Sequence, residues 1–297
     1  MDGATRNPTT SAASPYRING PARISFSGGR TSAFMLHQII QAHGGQLPDH
    51  IHVCFANTGK EREETLRFVH ECGSRWNVKI HWIEWRDSKD GFEEVGFNSA
   101  SRNGEPFEAL IRKKGMPPNW QARFCTQFLK VVAMKAFAKS LSWEDGSYVE
   151  VIGLRHDEGG RLLKMYERNE TEATKCIAPL SKAKITKRDV MAFWKAQPFD
   201  LALVPGESNC DLCMMKSMKT RMAIMRRFPD SAKWWMRMEQ ETSGFFDRHA
   251  RYAELYRQVR DQGHLFDGFL DDTTMDDEEH DTECGLLCAP LESMETA

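Results

Sequence analysis

Long apolar runs are absent from this sequence. No stretch of about 18 apolar residues, the length that a membrane-spanning helix needs, occurs in its 297 residues. The first residues, Met1–Ser14, also lack the apolar segment that marks a secretory signal peptide. These absences argue against a membrane role and lead us to expect a cytoplasmic protein. We interpret residues 1–20 as a flexible N-terminal tail.

The sequence also has little net charge, since 40 basic and 42 acidic residues leave a formal charge of −2. So small a charge argues neither for nor against nucleic acid as a partner, and only local basic patches can indicate one. The chain length suits one large domain, or one domain with appended lobes, and allows a substantial core.

Cysteine, by contrast, is frequent. The eight cysteines are at positions 54, 72, 125, 176, 210, 213, 284 and 288. In a protein without a secretion signal a disulfide scaffold is not expected, so a clustered subset indicates metal binding or thiol chemistry. We expect Cys54 and Cys72, which stand in a strand pattern and a helix pattern, to pack as small buried apolar residues.

Short apolar runs alternate with amphipathic helical patterns from residue 24 to about 154. The predicted elements are a strand at 24–26, a helix at 32–43, strands at 51–56 and 79–85, helices at 61–75 and 126–141, and a strand at 148–154. This alternation predicts an α/β fold, in which helices cover both faces of a parallel twisted sheet of the Rossmann-like kind.

The remaining stretches divide the chain into regions. The segment 87–121 has weak periodicity and several glycines, and is typical of a long functional loop or lid. We predict a nucleotide-binding α/β domain over 21–217 and a helical extension over 218–265. The acidic remainder, 266–297, is typical of a flexible tail.

A glycine-containing loop joins the first strand to the first helix. Ser27-Gly28-Gly29 follows the apolar run that ends at Phe26, and the helical pattern starts directly afterwards. Glycine allows a tight turn and close approach of a ligand, while the free amides and positive dipole of a helix start attract phosphate. Arg30, Thr31 and Ser32 add a cation and two hydroxyls. Residues 27–32 are therefore candidate phosphate ligands, although an ordinary strand-to-helix turn has the same pattern.

Two further polar clusters follow predicted strands. Asn57 and Thr58 come directly after the second strand, and Gly153, Arg155 and Asp157 come at the end of the last one. Ligands of open α/β sheets bind at the carboxyl ends of the strands. All five residues are therefore candidate nucleotide contacts, and ordinary loop hydrogen bonding is the alternative for Asn57, Arg155 and Asp157.

In their order and spacing, these motifs resemble the phosphoadenosine phosphosulfate reductase family, part of the wider group of PP-loop adenine-nucleotide enzymes. Ser27–Ser32 is similar to the PP-loop, Asn57–Gly59 to the segment after the second strand, and Gly153–Glu158 to the Gly-Leu-Arg element. Pro179–Val190 is similar to the family's Pro-Leu signature, with Lys184 in the place of its usual tryptophan.

The resemblance implies binding of an adenine nucleotide. The substrate would be ATP, adenosine phosphosulfate or phosphoadenosine phosphosulfate, with its phosphate on residues 27–32. The purine would lie near the strand that starts at residue 51. The family's fold agrees with the sheet that the periodicity predicts.

The resemblance also implies a nucleophile. Family members that reduce sulfonucleotides use the cysteine of a C-terminal Glu-Cys-Gly-Leu-His element, and Glu283–Leu286 is similar to it, with Leu287 in place of the histidine. By this likeness Cys284 would attack the sulfur of an adenylyl sulfate. Cys288, or a thiol reductant such as thioredoxin, would then resolve the adduct. The alternative is a tail with incidental cysteines.

A metal centre is implied in the same way. Family members that act without the 3′-phosphate hold a 4Fe–4S cluster with a Cys-Cys pair and a later Cys-x-x-Cys, to which Cys125 and the pair Cys210 and Cys213 are similar. Thr126 occupies the second position of the Cys-Cys pair, and Cys176 is available as the fourth ligand. Four thiolates suit a 4Fe–4S cluster or Zn²⁺; thiols without metal are the third possibility.

Three functions remain open at this level. The first is sulfur transfer or reduction on an adenylyl sulfate. The second is ATP-dependent, iron–sulfur-dependent thiolation of a nucleic-acid target, for which the basic stretches 112–114 and 182–188 would meet phosphates, although Thr31 replaces the aspartate common in that branch. The third is a non-catalytic protein that binds a nucleotide or zinc.

Overall fold

The computed structural model describes residues 14–204, 206–207 and 210–261, and within them six strands form one sheet. The strands are β1 Ala22–Ser25, β2 Ile51–Ala56, β3 Ile80–Trp85, β4 Phe92–Val95, β5 Val149–Val151 and β6 Cys176–Ile177. Their order is β4-β3-β2-β1-β5-β6, and every pair is parallel except β3 with β4. The predicted α/β fold is therefore confirmed, with one antiparallel edge strand added.

Helices connect the strands and continue beyond them. Their bounds are α1 Arg30–Ala42, α2 Glu63–Arg75, α3 Glu105–Lys114, α4 Phe124–Thr126, α5 Ala133–Ser140, α6 Gly159–Thr171, α7 Pro179–Lys182, α8 Lys187–Lys195, α9 Met218–Arg227, α10 Ser231–Thr242 and α11 Tyr252–Asp261. A π-helical segment, Gln127–Val132, joins α4 to α5. Within the described residues, no helix combines the length and the apolar character that crossing a membrane requires.

Two large hydrophobic clusters form the core. The first contains Ile24, Phe26 and the buried side of α1, and the second combines Ala56, Ile83 and Trp85 with the buried side chains of α9–α11. The methionine-rich and tryptophan-rich C-terminal helices thus contribute to the core, because methionine fills irregular gaps between larger side chains. Cys54 and Cys72 are completely buried, which confirms that they pack as apolar residues.

The interpretation of 87–121 as one long loop was wrong. This stretch contains β4 and α3, which begins after Gly104 and ends at Gly115, both in the left-handed region. The four-residue strand has adjacent glutamates on an exposed edge, so its sequence carries little hydrophobic periodicity. The helix α8 starts with a capping box formed by Thr186 and Asp189, whose side chains bond the first backbone N–H groups of the helix.

Candidate functional site

Gly28 turns the chain from β1 into α1 in a conformation that requires glycine. Its φ is +80°, and a Cβ built on it would lie 2.7 Å from Cγ2 of Thr65 and 3.1 Å from side-chain carbons of Phe55 and Val69. A real Cβ does not approach other atoms so closely, so both the backbone angle and the packing exclude a side chain here. The loop is therefore built in the way that the Ser-Gly-Gly motif predicts.

Two serines hold the loop closed. The hydroxyl of Ser32 accepts a hydrogen bond from the backbone N–H of Ser27 at 3.2 Å and lies 2.9 Å from the Ser27 hydroxyl. No side chain among the described residues caps α1, whose N-cap is Gly29. The first amides of this 13-residue helix therefore point out of the loop with the positive end of the helix dipole, which is an arrangement that attracts an anion.

The guanidinium of Arg30 is paired with an acidic side chain and does not lie free over the loop of residues 27–32. Its Nε and Nη2 donate to the carboxylate of Asp200 at 2.7 and 2.9 Å, and Nη2 also donates to the Leu201 carbonyl. The indole of Trp194 donates to the Arg30 carbonyl at 2.8 Å. The side chain thus joins the start of α1 to the segment after α8, and a phosphate contact by its guanidinium remains a prediction.

The loop after β5 supports the loop of residues 27–32, which we call the phosphate loop because the sequence predicts that it binds phosphate. A Cβ on Gly153 would lie 3.2 Å from Cα of Ser32, so the two backbones touch. Nη1 of Arg155 donates to the Thr31 hydroxyl at 3.2 Å, and its Nε donates to Asp157 at 2.9 Å. Because β5 is the neighbour of β1, residues far apart in sequence meet at one edge of the sheet. The residues predicted to bind the nucleotide from these two loops therefore lie together at one place.

Asn57 and Thr58, after β2, have hydrogen bonds within the protein. The Asn57 amide donates to Glu84 at 2.6 Å and to the Ser101 carbonyl at 2.9 Å, and its oxygen accepts from the Gly59 N–H at 3.2 Å. Asn57 is fully buried. Its side chain thus shapes the loop, and direct contact of Asn57 with a nucleotide stays a prediction.

Glu61 joins this loop to the Cys-x-x-Cys segment. Its carboxylate accepts from the N–H of Thr58 at 2.8 Å and from the Thr58 hydroxyl at 2.9 Å, and that hydroxyl lies 3.4 Å from Sγ of Cys210. Glu61 and Cys210 also form an antiparallel bridge. Burial raises the pKa of Glu61 above its usual range, while Lys130 and the hydrogen bonds from Thr58 oppose this rise.

A buried ion pair strengthens the same connection. Nζ of Lys60 lies 3.0 Å from Asp211, one residue after Cys210, and 5.0 Å from the centre of the Trp234 ring. Asp211 also accepts from the Trp235 indole at 2.8 Å. Burial, with Glu61 adding to it, raises the pKa of the Cys210 thiol well above its usual range. The Cys-x-x-Cys segment is therefore held against the carboxyl edge of the sheet.

The four cysteines of the predicted metal set do not share one environment. Cys125, Cys210 and Cys213 all pack against the second hydrophobic cluster. Cys176 lies instead on edge strand β6, in a small third cluster, and its thiol donates to Glu150 at 3.3 Å. Cys176 pairs in register with Glu150 because β6 lies beside β5.

The donor set therefore does not fit a four-thiolate centre as predicted. Cys176 is hydrogen-bonded to Glu150 in the third cluster, apart from the cluster that Cys125, Cys210 and Cys213 pack against. Within residues 14–204, 206–207 and 210–261, no three histidine, cysteine or acidic side chains are arranged to hold a metal ion. Three of the four thiols nevertheless share one hydrophobic cluster.

Cys284 and Cys288 lie outside the described residues, as do most of the predicted N-terminal tail and the acidic tail. Sequence reasoning also missed residues of the site. Lys60, Glu61 and Asp211 were visible as polar residues beside recognised motifs, but only the approach of residue 210 to the loop after β2 identifies them as partners. No local pattern predicts a contact between residues so distant in the chain.

Two relatives are similar to this chain in sequence, and the similarity covers only part of each of them. A nin region protein of Escherichia phage lambda, described as uncharacterised, is 31% identical over 202 residues, or 65% of this chain and 66% of the phage protein. A protein of Methanocaldococcus jannaschii, also described as uncharacterised, is 25% identical over 238 residues, or 78% of this chain and 44% of that protein. The matched regions thus cover just under two thirds of the phage protein and less than half of the Methanocaldococcus jannaschii protein.

Among solved structures, the U34-tRNA thiolase NcsA from Methanococcus maripaludis with its 4Fe–4S cluster is similar over 94% of this chain and 83% of that one. The two share 14% identity and a TM-score of 0.41, values too low for a functional argument.

The family comparison is more specific. The model of the phosphoadenosine phosphosulfate reductase domain matches residues 21–201, which is more than half of the chain. The match begins just before β1 and ends at Leu201, so it includes the phosphate loop, the loop after β2 and the loop after β5. It confirms the resemblance that the motifs carry. The chain belongs to the phosphoadenosine phosphosulfate reductase domain family.

Proposed function

We propose that this protein is an enzyme that binds an adenine nucleotide at the carboxyl edge of its sheet and carries out sulfur transfer or sulfur reduction there. The phosphates of the nucleotide lie on the loop of residues 27–32, against the first amides of α1. Thr31, Arg155 and Gly153 hold that loop in place, and Asn57 and Thr58 line the next loop along the edge. Family membership supports this chemistry.

One observation carries the proposal. Sγ of Cys210 is 3.4 Å from the Thr58 hydroxyl, on the loop that follows β2. Because β2 lies directly beside β1, this thiol is on the same edge of the sheet as the phosphate loop. A nucleotide site and sulfur side chains on one edge are what nucleotide-dependent sulfur chemistry needs, since reacting groups must be held close together.

The substrate form that we favour is an adenylyl sulfate, and Cys284 is the proposed nucleophile. Its thiolate attacks the sulfur of the bound sulfate group, the bond from that sulfur to the phosphate oxygen breaks, and the nucleotide leaves with the electron pair. A second thiolate, from Cys288 or from a dithiol reductant such as thioredoxin, attacks the sulfur of Cys284 and releases sulfite. The resulting disulfide is reduced by two electrons from the external dithiol.

Transfer of sulfur to a nucleic acid after activation by ATP is the second candidate. The observation that supports it is the position of Cys210, whose thiol lies beside the loop after β2, on the same edge of the sheet as the nucleotide loop. Neither reaction is assigned a step at a metal centre, because the four predicted ligands do not meet.

The test is an assay of anaerobically purified protein with adenosine phosphosulfate, with phosphoadenosine phosphosulfate, and with ATP in the presence and absence of RNA or DNA. Sulfite from a sulfonucleotide, abolished by Cys284→Ser and retained by the control Cys72→Ala, supports the first candidate. Pyrophosphate released from ATP only with nucleic acid, and insensitive to Cys284→Ser, supports the second. Binding of nucleotide with neither product would overturn the proposal and leave a non-catalytic nucleotide-binding protein.

Metal content gives an independent prediction. If a cluster or zinc is bound, we expect it to depend on Cys125, Cys210 and Cys213 and not on Cys176, whose thiol belongs to the Glu150 environment. Iron, sulfide and zinc analysis should therefore give the same values for wild type and Cys176→Ala and a loss of more than half in Cys213→Ala. About four irons and four sulfides would indicate a 4Fe–4S cluster.

An equal loss of metal in Cys176→Ala and Cys213→Ala would contradict this assignment and restore the four-cysteine set. One zinc without iron would make the centre structural.

A further inference from the structure

A groove separate from the phosphate loop lies between the segment after α3 and the loop that joins α10 to α11. Met116 and Pro117 form one side, and Phe245, Arg248 and Arg251 form the other. Its volume is about 350 Å³, which is at the lower end of the range for small-ligand sites. We call it the Arg248 groove.

The two sides of the Arg248 groove are packed directly on each other. A Cβ on Gly244 would lie 2.5 Å from Cδ of Pro117, so this glycine allows the closest approach of the two loops. The turn next to the groove is also fixed, since the Asn119 side-chain oxygen accepts from the N–H groups of Gln121 and Ala122, both at 2.9 Å. The groove is therefore a preformed surface.

Its positive charges are available to a ligand. Within the described part of the chain, no acidic side chain pairs with Arg248, which is exposed. The guanidinium of Arg251 lies 4.1 Å from the centre of the Phe245 ring, and its ion pair with Glu254 is long, at 4.0 Å.

Two acidic side chains of the adjoining helices α3 and α10, Glu108 and Glu241, are already neutralised. Arg237 donates to both carboxylates, and Arg112 pairs with the same two. Glu239 of α10 is buried and accepts backbone hydrogen bonds, and burial raises its pKa to about 7. The described residues that line the groove include two arginines and no acidic side chain, so an anionic partner complements it.

Large apolar side chains are exposed beside these charges. Trp120, at the tip of the Asn119 turn, is 55% exposed, and Met116 is 41% exposed. Trp120 directly follows Asn119, which lines the groove. An exposed indole and arginines along one surface are the combination on which unpaired nucleobases stack while their phosphates meet cations. An acidic peptide would use the arginines but would leave the indole without a partner.

We propose that the Arg248 groove binds single-stranded nucleic acid, with a base on Trp120 and the backbone phosphates on Arg248 and Arg251. The Asn119 turn on one side of the groove is followed, a few residues later in the chain, by α4, which contains Cys125. This inference rests on the nucleic-acid form of the proposed function and names the surface where that target docks.

The test uses fluorescence anisotropy of labelled RNA and DNA strands of about 12 nucleotides, within the length that such grooves contact, titrated with the full chain at several salt concentrations. Arg248→Gln and Arg251→Gln should each weaken binding about 3- to 10-fold at low salt. Each should also reduce the slope of log K against log salt by about 0.7, the value for one phosphate contact on a single strand. Trp120→Ala should weaken binding at least about 5-fold and leave the slope unchanged.

The matched control is Arg67→Gln, which removes a 71%-exposed arginine on α2 and should leave both affinity and slope unchanged. A wild-type protein that binds neither strand, or groove variants that behave like Arg67→Gln, would overturn the proposal. Competition by polyglutamate would also overturn it if that competition depended on Arg248 and Arg251 but not on Trp120, because the groove would then bind an acidic peptide. Preference for RNA or DNA identifies the target.

The assays distinguish a groove that does not bind nucleic acid from a protein that does not carry out the proposed reaction. Sulfite formation from an adenylyl sulfate does not use the Arg248 groove, and Arg248→Gln should retain it. Pyrophosphate release that requires nucleic acid but is unaffected by both arginine variants would keep the enzymatic proposal and reject the groove.

Discussion

Glu150→Ala is expected to lower the free energy of unfolding by about 3–5 kcal/mol, the usual effect of leaving a buried charge without its partner. Glu150 stands opposite Arg23 in the register of β5 with β1, and the two side chains form an ion pair in which Arg23 is 0% and Glu150 1% exposed. Arg168 also pairs with Glu150, at 3.2 Å. Loss of the carboxylate therefore leaves Arg23 as an unpaired cation in the core, with the partly buried Arg168 close by.

Among the described residues, the Arg23 guanidinium has no other hydrogen-bond acceptor that could replace Glu150. Nε and Nη1 of Arg23 are buried without a hydrogen-bond partner among the described residues. Burial by itself would raise the pKa of Glu150, but the charges of Arg23 and Arg168 outweigh it and hold the pKa below its usual value. Glu150 is thus ionised in the folded protein, and its charge is what the variant removes.

Urea unfolding followed by circular dichroism measures the effect. Glu93→Ala is the control, because Glu93 also pairs with an arginine, Arg86, but is 56% exposed, so we expect a change of about 0–1 kcal/mol. The double variant Arg23→Met with Glu150→Leu should regain most of the lost stability, since replacing a whole buried pair by apolar residues is often neutral. Equal effects of Glu150→Ala and Glu93→Ala would contradict this account.

Gly28→Ala is expected to weaken adenine-nucleotide binding at least about tenfold and to destabilise the fold by about 2–5 kcal/mol. A residue with a Cβ costs about 1–2 kcal/mol in the left-handed region, and crowding of the core adds about 1–3 kcal/mol. The new methyl would stand 2.7 Å from Cγ2 of Thr65. Either the loop or α2 must then shift, which displaces the amides at the start of α1.

Gly44→Ala separates the two contributions. Gly44 has nearly the same φ, +79°, but nothing lies within 4 Å of its built Cβ, so only the backbone cost of about 1–2 kcal/mol should appear and nucleotide affinity should be unchanged. Thr65→Ser added to Gly28→Ala removes the contacting methyl and should restore part of the stability. Isothermal titration calorimetry with ATP and thermal unfolding measure both effects. Equal behaviour of Gly28→Ala and Gly44→Ala would refute the packing argument.

Much of the local structure was predictable because it depends on neighbouring residues. The strand β2 at Ile51–Ala56 follows from the hydrophobic pattern and agrees with prediction, and the start of α8 follows from the capping chemistry of Thr186. The glycine loop was predictable for the same reason, since Gly28 is the residue type that its φ requires. These features need no information from distant parts of the chain.

The sequence alone thus determined the α/β class and the glycine loop of residues 27–32, because periodicity, caps and glycines act over a few residues. It also determined the family, through the order and spacing of the motifs that resemble it. The tertiary structure decided which distant side chains meet. Strand order places Cys176 beside Glu150 on the edge strand and Cys210 beside Thr58, so it separates a cysteine set that the family resemblance implied. It also pairs Arg30 with Asp200 and Lys60 with Asp211. Such contacts depend on how strands are ordered in the sheet, and no local pattern encodes that order.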